Sequence, residues 1–217
     1  MPNKIWFIGD SFTYGYGCRP GRNFEYYEYT KRAHGKIWTQ IVSEELNMVE
    51  NNLGKIAGSN PYSLGVYINN IKNFKKGDYI ILGTTYPYGL LVPSLDYPII
   101  TSTNGPEVEH DTPFDQEKKS TITDFRNYFI EPYQKRWNEY YFNLFKNLSM
   151  EMFNKKIYTF IWDYKVWEKE NNFESIREHT NNIITDPDHF SWNGHKQFAN
   201  YILNKINLKD FVKPCLI

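Results

Sequence analysis

Apolar residues fall into two kinds of run along this chain. Four short runs, Lys4–Ile8, Val49–Leu53, Asp78–Leu82 and Lys156–Trp162, are rich in β-branched and aromatic side chains and stop at a glycine, an aspartate or a polar turn. They read as buried strands. Between them apolar positions recur every three or four residues: Ile37, Ile41 and Leu46; then Leu64, Tyr67, Ile68 and Ile71; then, over Ile122–Phe153, Phe125, Phe129, Tyr133, Trp137, Tyr141, Leu144, Phe145 and Leu148. That spacing predicts helices, with Pro132 a kink or break in the third. A last helix opens near Ser191-Trp192-Asn193 and carries Phe198, Ile202, Leu203 and Ile206. Strands alternating with helices predict an α/β fold with a central parallel sheet covered on both faces. For 217 residues one domain is expected.

In such sheets function gathers at the carboxyl ends of the strands. This directs attention to Gly9–Gly17, Gly54–Ser63, Gly83–Tyr88 and Asp163–Trp167. Two further stretches lack periodicity: Tyr14–Gly35, crowded with Tyr, Gly and Arg, and Thr84–Thr121, which holds Pro87, Pro93, Pro98, Pro106 and Pro113. The second, an irregular insertion at about 84–121, has the length of a lid or binding loop.

Charge and composition then remove several classes of function. Lys+Arg and Asp+Glu are 25 each, so there is no basic surplus with which to displace counterions from nucleic acid. Aromatic residues make up 18% of the chain, which excludes disorder. No stretch approaches the ~20 apolar residues of a membrane span, and the start of the chain lacks a signal-peptide core. A soluble, cytoplasmic protein is expected, with release by a non-classical route left open. Cys18 and Cys215 read as intracellular thiols. Only Arg19 stands beside Cys18 to lower its pKa.

Chemistry first appears in Ile8-Gly9-Asp10-Ser11-Phe12-Thr13-Tyr14-Gly15. A serine just past a buried strand, flanked by glycine, is held with its hydroxyl toward the strand-end crevice, a nucleophile position. The plainer reading is that Ser11 merely caps the next turn of the chain. Of five histidines, His189 in Asp186-Pro187-Asp188-His189 leads into the last helix, and an acid three residues earlier can fold back onto Nδ1 and leave Nε2 for the serine. Asp188 is the alternative acid. His195 reads as a capping or packing residue, and His34, His110 and His179 as solvated. Asp186, Asp188, His189 and His195 have metal-ligand types but not the usual ligand number or spacing, so neither metal nor cofactor is expected.

Gly9-Asp10-Ser11 after the first strand and Asp186-x-x-His189 before the last helix resemble the SGNH (GDSL-type) hydrolase family. The resemblance implies a flavodoxin-like three-layer α/β/α sandwich and a serine esterase. Asn52-Leu53-Gly54-Lys55-Ile56-Ala57-Gly58-Ser59-Asn60 resembles the family's second block, which implies that the Gly58 N–H is an oxyanion donor beside that of Ser11. His189-Phe190-Ser191-x-x-Gly194-His195 is similar to its terminal stretch. The third block departs: Gly83-Thr84-Thr85-Tyr86 places Thr85 where an asparagine is usual. Thr85 then stands as the third oxyanion-hole residue, donating one hydrogen bond through a shorter arm; losing one such donor typically costs ~10²–10³ in kcat, so a slower enzyme is implied. Asp10 is expected to be structural.

The implied function is acyl transfer through Ser11, with His189 as base and Asp186 orienting it, on a small acyl ester; family analogy suggests an O-acetyl group on carbohydrate. The expected partner is thus a small-molecule or glycan ester, and zero net charge suits a neutral one. Tyr14, Tyr86 and Tyr88 are candidates for contacting it, although in so Tyr-rich a chain they also read as packing residues. The alternatives are an acyltransferase on the same site and a catalytically silent version of the fold that binds or builds.

Overall fold

The computed structural model describes residues 2–15, 36–55, 58–84, 89–90, 99–100, 134–163, 190 and 192–213. Strand β1 (Lys4–Ile8) enters a short helix α1 (Ser11–Tyr14), and α2 (Trp38–Glu45) leads to β2 (Val49–Asn52). Helix α3 (Asn60–Asn70) precedes β3 (Tyr79–Thr84). A two-stranded antiparallel ladder, β4 (Gly89–Leu90) and β5 (Ile99–Ile100), lies within the span expected to be irregular. Helix α4 (Gln134–Asn154), β6 (Tyr158–Asp163) and α5 (Trp192–Asn207) complete the described chain.

Strands β2, β1, β3 and β6 pair in that order, each pair parallel. Period-two alternation then divides the core. Ile5 and Phe7 of β1, Ile81 of β3, and Phe160 and Trp162 of β6 face one way and pack on Trp38 and Val42 of α2 and Phe198, Ala199, Ile202 and Ile206 of α5. Trp6, Ile8, Ile80 and Leu82 face the other way, onto Tyr67 of α3 and Phe145 and Met152 of α4. The result is a three-layer α/β/α sandwich in the flavodoxin-like strand order. The first layer is strongly aromatic. Trp38 meets Phe7 and Phe198 edge-on, with ring centroids 5.1 and 4.9 Å apart. Such pairs add about 0.5–1.5 kcal/mol each beyond the area they bury.

The pattern of the sequence anticipates all four sheet strands, and the differences at their ends have local causes. β3 starts one residue after Asp78 because that carboxylate turns inward: Oδ1 accepts from Lys4 N (2.9 Å), and Oδ2 from Trp6 Nε1 (2.9 Å) and Lys75 N (3.0 Å). β6 starts after Lys156 because Lys156 has φ of 60°, outside the range a strand allows. Sequence pattern overstates the burial of β2, which is at the edge of the sheet among the described residues and whose Val49 is 44% exposed. The last helix is found where its spacing places it. The third is described from Gln134, and residues 122–133 lie outside the described residues. Among the described residues no helix is long and apolar enough to cross a membrane.

Candidate active site

The carboxyl end of β1 runs directly into the turn that carries Ser11. Asp10 is its N-cap: the buried carboxylate accepts from Phe12 N at 3.0 Å, while Asp10 O and Ser11 O accept from Tyr14 N (2.9 Å) and Gly15 N (3.0 Å). This matches the structural part expected for Asp10. Gly15 closes the turn at φ 82°, a left-handed conformation that glycine adopts without strain. Phe12 and Thr13 point into the protein and Ser11 is half-buried, so the turn anchors itself through its neighbours and presents the serine.

Two glycine segments press against that turn. A Cβ on Gly54 would lie 2.5 Å from Tyr14 N, and one on Gly58 would lie 3.0 Å from Gly9 O and 3.2 Å from Asp10 Cα. The second block therefore lies against Gly9-Asp10, where the sequence places it. Asn52, the last residue of β2, holds the junction: its Nδ2 donates to Thr13 O (2.8 Å) and Thr39 Oγ1 (3.1 Å), and its Oδ1 accepts from Gly54 N (2.9 Å). The Gly58 N–H donates to Lys55 O at 2.9 Å. Ser59 begins α3, its Oγ accepting from Tyr62 N at 3.3 Å.

On the far side lies the start of α5. Phe190 is 1% exposed and its ring meets Phe12 edge-on, with centroids 5.1 Å apart. The residue after His189 in sequence thus packs on the residue after Ser11. His195 is 1% exposed and serves as both cap and packing residue: Nδ1 accepts from Trp38 N at 3.3 Å, and its ring lies 5.4 Å from that of Phe190. Ile37, the residue before α2, has no polar side chain with which to cap the helix. Gln40 Oε1 accepts from Ile37 N (3.1 Å), and His195 takes the next N–H.

Of the residues selected from the sequence, the structure brings Ser11, Gly58 and Tyr14 to the same strand ends. Asp186, Asp188, His189, Thr85, Tyr86 and Tyr88 lie outside the described residues, as do Cys18, His34, His110 and His179. β3 runs through Thr84, so Thr85 is the next residue after the strand. Among the described residues no group of three or more His, Cys, Asp or Glu could hold a metal ion.

Sequence patterning does not single out Trp38 or Asn52. Asn52 does carry a signal, as a polar residue closing a strand two positions before a glycine. Trp38 carries none, because a helical tryptophan reads as core.

Fold and geometry together define a parallel α/β/α sandwich with a capped serine at the carboxyl end of its first strand. No protein-family model and no curated protein matches the chain. Two solved structures resemble it in overall course. One, described as a putative lipolytic protein of the G-D-S-L family from Desulfitobacterium hafniense DCB-2, is 13% identical with a TM-score of 0.44, over 93% of this chain and 98% of that one. The other is the C-terminal catalytic domain of peptidoglycan O-acetyltransferase A (OatA) from Streptococcus pneumoniae, 13% identical with a TM-score of 0.39, over 98% of both chains.

Proposed function

We propose that this chain is an SGNH-type serine hydrolase that cleaves a small, neutral acyl ester, an O-acetyl group on a carbohydrate being the expected case. The observation that carries the reading is the edge contact between Phe12 and Phe190, which brings the neighbour of His189 onto the neighbour of Ser11. In this reading His189 takes the Ser11 proton as Oγ attacks the ester carbonyl, and Asp186 orients the imidazole. The oxyanion collapses with loss of the alcohol, which leaves with the proton held by His189. Water, deprotonated by the same histidine, then attacks the acyl-enzyme and frees the acid and Ser11. The Ser11 N–H and Thr85 are the first donors to consider for the oxyanion. Gly58 joins them only if its N–H turns away from Lys55 O. Tyr14, half-buried at the end of the serine turn, and Tyr86 and Tyr88 after β3 are the proposed contacts for the alcohol side.

A second reading, a silent binding protein on this fold, is favoured by the same Gly58–Lys55 hydrogen bond together with threonine at position 85. Labelling with a fluorophosphonate probe and turnover of p-nitrophenyl acetate separate the two. The hydrolase reading expects both in the wild type and neither in Ser11→Ala or His189→Ala. Equal turnover in wild type and Ser11→Ala, or no labelling of the wild type, sinks it. Adding an alcohol acceptor and analysing the products distinguishes hydrolysis from acyl transfer.

A further inference from the structure

Trp38 hydrogen-bonds in two directions. Its indole Nε1 donates to Phe12 O at 2.9 Å, inside the serine turn, and its backbone N–H donates to His195 Nδ1 at 3.3 Å, in the first turn of α5. The tryptophan is fully buried, and Phe12, Phe190 and His195 are all at most 7% exposed. The two partners lie 26 and 157 residues away in sequence. Phe190 closes the loop, with its ring 5.1 Å from Phe12, 5.4 Å from His195 and 5.1 Å from Phe198, which in turn lies 4.9 Å from Trp38. Dispersion alone would be served by any large ring at position 38. Here two directional bonds run to the two segments that flank the strand-end crevice. A donor facing Nδ1 also requires its lone pair, so the imidazole keeps its proton on Nε2.

We propose that Trp38 and His195 are positioning residues for acyl transfer: they tie the Ser11 turn and the Phe190–His195 segment to one helix end, and so set how Ser11 stands relative to the residue preceding Phe190. This rests on the hydrolase reading above. Displacements of about 1 Å between reacting groups can cost on the order of 10²-fold in rate, so loosening either bond acts on kcat more than on KM.

The test compares Trp38→Phe, which keeps an aromatic ring but loses the indole N–H, with His195→Leu and His195→Asn, the last retaining an acceptor near the place of Nδ1. Each is assayed with p-nitrophenyl acetate, corrected for folded fraction by thermal unfolding. Trp38→Phe and His195→Leu are expected to lower kcat by about 10-fold or more with KM within about 3-fold. His195→Asn is expected to recover most of that loss. Wild-type kcat in Trp38→Phe, or His195→Asn no better than His195→Leu, overturns the proposal. Fluorophosphonate labelling of the wild type is the separate control: an unlabelled wild type overturns the hydrolase reading. The tie itself is then decided by amide hydrogen exchange. Trp38→Phe, which removes the indole bond to Phe12 O, must speed exchange in residues 5–15, and His195→Leu, which removes the acceptor of the Trp38 N–H, must speed it in 190–200; unchanged exchange in either case counts against it.

Discussion

Two buried aspartates stand at opposite ends of the sheet, and they do different things. Asp78, 2% exposed, lies at the amino end and accepts three N–H bonds, from Lys4, Trp6 and Lys75, which join β1 to the turn before β3. Asp10, 7% exposed, lies at the carboxyl end and caps the four-residue turn that begins with Ser11. A carboxylate binding elements far apart in sequence supports the fold. One bonding two residues ahead shapes a turn and leaves the serine half-buried. At the amino end polar groups serve cohesion, whereas at the carboxyl end glycines allow backbones to crowd against the serine turn.

The largest expected effect lies at the carboxyl end. Ser11→Ala should lower kcat by about 10⁴-fold or more while leaving the unfolding midpoint within about 2 °C of wild type. A large loss of stability in that variant would mean the serine is a structural cap and would erase the contrast. Next comes Asp78→Ala, which strands three donors and should cost about 3 kcal/mol, or roughly 6–12 °C in midpoint for a chain of this size. Its kcat per folded molecule should match wild type, and calorimetry beside the ester assay checks both halves. Asp10→Ala should invert that result, costing only about 1 kcal/mol of stability but lowering kcat roughly 10-fold as the turn loosens, with Asp10→Asn restoring the cap and the rate.

The smallest effect belongs to a pair on the surface, which sets the baseline. Lys205 Nζ donates to Asp210 at 2.9 Å, with the aspartate side chain 60% exposed, and this bond holds the lysine above its ordinary pKa. A raised lysine contributes its stability below the unfolded pKa of about 10.4 and loses it as pH climbs through the higher folded value. Asp210→Asn should therefore cost less than about 0.5 kcal/mol at pH 7, and the difference from wild type should shrink in alkaline melts. A cost comparable to that of Asp78→Ala would show that exposure does not discount such bonds here.

Much of the sandwich is legible in the sequence because its signals are local. A continuous apolar run such as Ile5-Trp6-Phe7-Ile8 follows from a strand that is dry on both faces, and three-to-four spacing such as Phe198–Ile202–Ile206 from a helix that is dry on one. The start of β6 is not legible, because a left-handed residue, Lys156, carries no mark in its side chain. Nor is the exposure of β2, because edge or centre is a property of the assembled sheet. At the candidate site, Ser11 and the place of Gly58 beside it are readable from their position after strands. The double tie made by Trp38 is not.

The sequence by itself determined the alternation of strands and helices and the serine at the end of β1, since each is written in a few consecutive residues. Tertiary structure alone decided that Trp38 serves Phe12 and His195, that Asn52 pins Thr13 to Gly54, and that Phe190 lies on Phe12. Hydrophobic periodicity specifies which face is buried but not which partner it meets. Those partners, far apart in sequence, are selected only when the layers close and every directional donor must find its acceptor.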